Sequence, residues 1–229
     1  MMNKSEMSPY LWSKITGASI VIMAILAMTV EFGIRQSLII SGDAATTASN
    51  ILSNEGLFRF SIFAYLFILI LDIIAAIGFY VVLKPVDKNI ALLAAFLRLA
   101  YIAVRGVSQV SLFIGLLLLK DGNQQSLAMV FFDSDPFAFS ISLALFFSVH
   151  LFILGYLVVK SNYVPKIFGY LLYLASFAYL LDNGLRILLI NYADYETIIL
   201  AIIFLPALVG ELAFSLWLLL RTKKDTIPE

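Results

Sequence analysis

At 229 residues, with 62% hydrophobic and 13% charged side chains and a formal net charge of +0, the chain is far more apolar than a soluble domain, where about half the residues are apolar and about a quarter charged. A mean hydropathy of +1.00 points to a bilayer, and the balanced charge excludes a protein built to bind polyanions, so no nucleic-acid partner is expected. The absence of cysteine removes disulfides, thiol catalysis, thiolate metal sites and iron–sulfur clusters.

Crossing a bilayer as a helix takes roughly 20 apolar residues. Residues 12–33, 57–83, 89–119, 137–159, 167–190 and 197–220 meet that length. The first stretch lacks a small-residue cleavage site before Glu31 and reads as a retained span rather than a signal peptide. After it, Gly42 and Asp43 precede residues 44–52, a short helix with Asp43 as its cap. Lys84-Pro85-Val86-Asp87-Lys88-Asn89 reads as a tight turn in which proline ends the second span. Residues 121–136 read as a long loop, and Ser161-Asn162-Tyr163-Val164-Pro165-Lys166 as a second tight turn. The predicted fold is all-α: one polytopic membrane domain over 1–229, a bundle of six transmembrane helices, with the third span central.

Basic residues are one-sided. Lys4, Lys14, Lys84, Lys88, Lys160, Lys166, Arg221, Lys223 and Lys224 fall at one set of span ends. The opposite set is acidic, with Asp43, Glu55, Asp121, Asp133, Asp135, Asp194 and Glu196. By the positive-inside rule both termini are cytoplasmic and the protein lies in the plasma (cytoplasmic) membrane. The first and fifth spans also resemble each other. Lys14-Ile15-Thr16-Gly17 matches Lys166-Ile167-Phe168-Gly169, and Glu31 to Arg35 matches Asp182 to Arg186. This spacing suggests repeated helical hairpins, a plan common in transport folds.

Buried ionisable groups are the pointer to function. At 1.5 Å per residue, Asp72, Arg98, His150 and Glu211 lie about 15 Å from the basic end, near the bilayer midplane. Glu31, Arg59, Arg105, Gln109, Asp182, Asn183 and Arg186 form a second, outer layer roughly 25 Å in or beyond. A charge at the midplane costs at least about 2.5–3.5 kcal/mol, so these groups either pair or line a wet cavity. Arg98, Tyr101, Arg105, Ser108, Gln109 and Leu112 make one stripe on the third span. The expected pairs are Arg98 with Asp72 or Glu211, and Arg105 with Asp182 or Glu31.

Three functions fit this pattern. The first is a small-solute or proton-coupled carrier with a polar intramembrane cavity. The second is a non-transporting interaction or sensor protein whose charges are structural pins. The third is an intramembrane enzyme. His150 reads as either a packing histidine or a proton-transfer group. A single histidine cannot make a bis-His haem or three-His zinc site, the common hydrolase and nucleotide motifs are absent, and no cofactor is expected. Counting Arg59, Arg105 and Arg186 against Glu31 and Asp182 leaves one surplus positive charge in the outer layer, which predicts a small anionic or zwitterionic solute entering from outside.

Several segments carry a family resemblance: Glu31-Phe32-Gly33-Ile34-Arg35 with Gly42-Asp43-Ala44-Ala45, Asn50-Ile51-Leu52 through Glu55-Gly56-Leu57-Phe58-Arg59, Leu83-Lys84-Pro85-Val86, His150-Leu151 with Leu154-Gly155-Tyr156-Leu157, Tyr163 to Gly169, and Leu205-Pro206-Ala207-Leu208-Val209-Gly210-Glu211. In this order they resemble the prokaryotic membrane family catalogued as domain of unknown function 4386. The resemblance implies a multi-pass protein of the bacterial inner-membrane type and carries over no catalytic residues.

Overall fold

The computed structural model describes residues 7–221, with the side chains of 193, 196–198 and 200–208 outside that description. Local signals start each helix. Ser8 accepts from the Leu11 amide at 3.3 Å and Pro9 takes the first helical position of α1 (Pro9–Leu38), where a missing N–H is harmless. Asp43 accepts from the amide and hydroxyl of Thr46 at 2.9 and 2.7 Å and opens the short α2 (Ala44–Ser53), as expected. The same Thr46 bonds hold the Asp43 carboxyl below the usual carboxylate range. Then follows α3 (Glu55–Leu83), which stops at the Lys84-Pro85 turn. Asp87 caps α4 (Lys88–Lys120) by accepting from the amides of Asn89 and Ile90, each at 3.1 Å. The chain continues through α5 (Gln125–Lys160), α6 (Lys166–Leu188) and α7 (Glu196–Leu220).

Among the described residues there is no strand. Helices α1, α3, α4, α5 and α6 are each long and apolar enough to cross a membrane, and the described side chains of α7 continue the pattern over Val209–Leu220. Their outer faces are apolar and open, with Ile25, Phe63, Val107 and Leu145 each more than half exposed. Such a surface belongs in lipid rather than water.

The expected loop over 121–136 is a correction. Gly122, at φ 83°, ends α4 in a left-handed conformation that suits glycine, and α5 begins three residues later at Gln125. Ala128, Met129 and Phe132 form a buried stripe in α5. Phe132 lies over Gly115 of α4, where an added Cβ would meet the ring at 2.5 Å, and meets Phe58 of α3 edge to face at 5.7 Å. This packing outweighs the helix-breaking tendency of Pro136, which sits inside α5. Membrane helices tolerate proline where neighbours satisfy the freed backbone groups.

The six long helices form a closed ring in chain order. Each packs on the next, and α1 closes the ring against α7. The short α2 lies across the ends of α3, α4 and α5, over a separate apolar cluster of Ile34, Ile51, Phe58, Leu112, Leu116 and Phe132. Helix α4 is therefore one stave of the ring and not its centre, which corrects the second expectation. Its Arg98–Arg105–Gln109 stripe is buried while Phe96, Val107 and Val110 face outward.

Ring closure depends on small residues. A Cβ on Gly17 would lie 2.4 Å from the Ser215 carbonyl oxygen, and one on Gly78 would lie 1.7 Å from Thr16 Oγ1. Small residues at such crossings let membrane helices approach closely. At the same end Lys14 donates to the carbonyls of Leu219 and Arg221. Tyr163 donates to the Val82 carbonyl at 2.8 Å, and burial pushes its phenol up to about 12. The start of α1, the end of α7 and both tight turns thus share one end of the ring. Lys4, Lys223 and Lys224 lie outside the described residues.

Gly17→Ala should lower stability by about 1–3 kcal/mol, the usual cost of overpacking, seen as a lower unfolding temperature in detergent. Gly184, which has nothing within 4 Å of an added Cβ, serves as control. An equal loss from Gly184→Ala would remove the close α1–α7 approach as the cause.

Candidate functional site: a charged chamber inside the ring

The inner layer is built around Arg98. Its Nε donates to Asp72 Oδ1 of α3 at 2.5 Å, and its Nη1 to Glu211 Oε1 of α7 at 2.5 Å. Nη1 also lies 3.0 Å from His150 Nε2 of α5. The guanidinium sits between the rings of Phe79 and Phe147, each at 5.4 Å. A guanidinium only donates, so His150 Nε2 accepts and carries no proton. The proton is then on Nδ1, which donates to the Ala94 carbonyl at 2.8 Å. His150 is thus neutral by its bonding, with both ring nitrogens engaged.

The outer layer has two arginines sharing acids. Arg35 donates from Nη1 to Glu31 Oε1 at 3.0 Å and from Nη2 to Gln109 Oε1 at 2.5 Å, with Asp135 Oδ2 at 3.7 Å. Arg105 donates from Nη1 to Asp135 Oδ1 at 3.1 Å and from Nη2 to the Tyr65 hydroxyl at 2.7 Å, with Glu31 Oε1 at 4.0 Å. The Tyr65 ring packs against both guanidinium groups, each 4.8 Å from its centre. Beyond them, Tyr192, in the short turn after α6, donates to Asp182 of α6 at 2.5 Å and accepts from Arg186 at 3.3 Å. Asn183 is buried and donates to the Tyr179 carbonyl at 3.0 Å.

A chamber of about 530 Å³ joins the two layers. Every long helix contributes to its wall. Asp72, Arg98 and Glu211 line it at the inner level, and Glu31, Arg105, Asp135, Asp182, Asn183 and Arg186 at the outer level. Between them the wall is apolar and aromatic, with Met23, Leu143, Phe147 and Tyr179 among its residues. Two widened, π-helical turns border it: Thr29–Arg35 in α1, which carries Glu31 and Arg35, and Leu143–Phe147 in α5. Such turns are rare and concentrate at functional sites.

Of the eleven residues singled out from sequence, eight line the chamber. His150 and Gln109 stand behind it, bonded to Arg98 and Arg35. Arg59 does not belong to it. It lies on the outside of the ring, 42% exposed, bonded to Glu55 at 2.7 Å. Arg105 meets Glu31 as expected but takes Asp135 in place of Asp182. Arg35, Asp135 and Tyr65 were not anticipated. Rotation about the helix carries the missing signal. At about 100° per residue, the thirteen residues from Arg59 to Asp72 turn α3 to its opposite face, whereas the seven from Tyr65 to Asp72 return to the same face. Arg35 is four residues from Glu31 and shares its face. With Arg35 and Asp135 in place of Arg59, three arginines meet three carboxylates in the outer layer, and the expected positive surplus disappears.

Arg98 occupies the space between Asp72, Glu211 and His150, and among the described residues no group of three potential ligands could hold a metal ion. Removing one partner of a buried pair costs about 3–5 kcal/mol because it strands the other. Arg98→Leu should therefore destabilise strongly, and adding Asp72→Asn and Glu211→Gln should restore much of the loss in an unfolding titration. Equal stability of Arg98→Leu and wild type would show that the cluster is not formed.

Comparison with known proteins reaches the same region of the chain. The model of the family described as Domain of unknown function (DUF4386) matches residues 15–222. A protein of Archaeoglobus fulgidus described as uncharacterized is 31% identical over 166 residues, covering 72% of this chain and 85% of that protein. No solved structure matches. The matched family segment contains all six long helices from Ile15 onward and every charged residue of the chamber, and the chain belongs to the DUF4386 family.

Proposed function

We propose that this protein is a carrier for a small polar solute, taken up in the chamber between the two charged layers and coupled to protons. The observation that carries this reading is the chamber itself. Its volume of about 530 Å³ lies within the range of small-molecule sites, which combine an apolar wall with a few placed polar groups. Ionisable groups at this depth mark solute and proton pathways by default. The basic end is cytoplasmic by the positive-inside rule, so both termini face the cytoplasm of a prokaryotic cell. The outer layer then faces the exterior and receives the solute. Its balance of three arginines with three carboxylates favours a zwitterionic over a purely anionic solute.

A second reading draws on the direct pairing of Arg98 with Asp72, Glu211 and His150. In it the charges only pin the helices, and the protein acts as a non-transporting sensor or interaction partner. An intramembrane enzyme would rely on His150, whose ring nitrogens are both engaged.

Two measurements test the proposal. The chain has no native cysteine, so single cysteines report sidedness cleanly. A membrane-impermeant maleimide on intact cells should label Ser126→Cys and spare Asn162→Cys, both exposed positions; the reverse pattern would invert the orientation. For transport, proteoliposomes enclosing a pH dye are challenged in turn with small amines, amino acids, carboxylates and sugars. At least one class should drive proton flux. Ala27→Trp, which fills the chamber wall, should abolish it, whereas Ile25→Trp on the lipid face should not. No flux with any class, or undiminished flux in Ala27→Trp, would favour the pin reading.

A further inference from the structure

We infer that the inner end of the chamber binds an organic ammonium group, which replaces a proton held between Asp72 and Glu211. This rests on the carrier reading and names its substrate class. The argument starts from charge. Among the described residues Arg98 is the one cation at this level, His150 is neutral by its bonding, and two carboxylates face one guanidinium. Both acids ionised would leave one surplus negative charge at the bilayer midplane, which is costly. The site is neutral when the pair keeps one proton, and equally neutral when the proton leaves and a cation enters.

Access favours a cation over an anion. The Arg98 and Arg105 side chains are only 1% and 2% exposed, whereas the Glu211 side chain is 15% and the Glu31 side chain 35% exposed; Arg186, the third arginine of the wall, is half-buried. Only one oxygen of Asp72 and one of Glu211 carry a hydrogen bond among the described residues, and both residues line the chamber. An arriving ammonium therefore finds free carboxylate oxygens. Tyr101, Phe147 and Tyr179 stand beside them in the wall, and aromatic faces attract such cations. An anion would find its arginine donors already engaged.

The exchange balances. One carboxyl O–H releases its proton to water, the ammonium N–H groups donate to the vacated carboxylate, and no covalent bond to carbon changes. The titratable and charged groups facing this point are Asp72 from α3, Arg98 and Tyr101 from α4, His150 from α5, Tyr179 from α6 and Glu211 from α7. Lining from α1 at this level is apolar, through Ile20, Met23 and Ala24. The apolar wall above asks for a ligand with an apolar or aromatic body. Cationic amines and zwitterionic amino acids share the ammonium group.

Three probes of matched body separate these cases on the purified full-length protein: phenethylamine, phenylalanine and phenylacetate, followed by calorimetry in weakly and strongly buffered solution. Phenethylamine or phenylalanine should bind with release of about one proton per ligand. Affinity should rise with pH, as binding with proton release requires, and whichever of the two probes binds tells a cationic from a zwitterionic ligand. Glu211→Gln should lower affinity about tenfold or more, the loss expected for a charge-assisted hydrogen bond, and should abolish proton release. The wild-type proton count and pH profile decide the matter even if that variant does not fold. Binding of phenylacetate alone, of none of the three probes, or of an amine without proton release overturns the inference. Solute-driven flux in proteoliposomes together with any of those results would leave the carrier reading standing.

Discussion

Everything inside this ring is arranged around one guanidinium. Arg98 comes from α4 and reaches an acid on α3, a histidine on α5 and an acid on α7, so a single side chain ties four of the six long helices at the midplane. Its charge costs too much in lipid to stand alone. The two acids compensate it, and Phe79 and Phe147 exclude water from its faces. One buried cation thus faces two buried acids in the inner layer.

The chamber is the other side of the same arrangement. Between layers about 10 Å apart, from the seven residues separating Arg98 and Arg105, the helices keep apart enough to leave space. At the basic end they close, where Gly17 lets α1 meet the backbone of α7 and Gly78 of α3 makes room for the Thr16 side chain of α1. At the other end α2 and the Phe58–Phe132 contact seal the side formed by α3, α4 and α5. The ring is thus tight at its basic end, covered on one side of its acidic end, and hollow between. The widened turns in α1 and α5 fall along the hollow part, where the inward-facing register matters most.

Much of this was legible in the sequence because it depends on one-dimensional quantities. Span length, proline-marked turns, the Asp43 cap and the sidedness of lysines follow from counting along the chain, and so do the depths of Asp72, Arg98, His150 and Glu211. The polar stripe on α4 was readable because its spacing is helical. What counting cannot supply is direction around a helix axis and the outcome of tertiary packing. Arg59 has the right depth and the wrong face. Asp135 was hidden because Pro136 reads as a break, while packing of Phe132 against Gly115 and Phe58 carries the helix through it. Arg35 falls past the apolar stretch, yet α1 continues through a π-helical turn and brings it inside. Those three residues change the charge balance of the outer layer.

The central claim is that Arg98 bridges Asp72 and Glu211 inside the membrane. Its most direct measure is nitrogen–carbon dipolar recoupling by solid-state NMR in lipid bilayers, with guanidinium nitrogens and side-chain carboxyl carbons isotopically labelled. The Arg98 resonance is identified by its loss in Arg98→Lys. The account predicts strong dephasing of that resonance both in an aspartate-labelled and in a glutamate-labelled sample, as direct hydrogen bonds to both carboxylates require. Dephasing by only one residue type, or by neither, would contradict it.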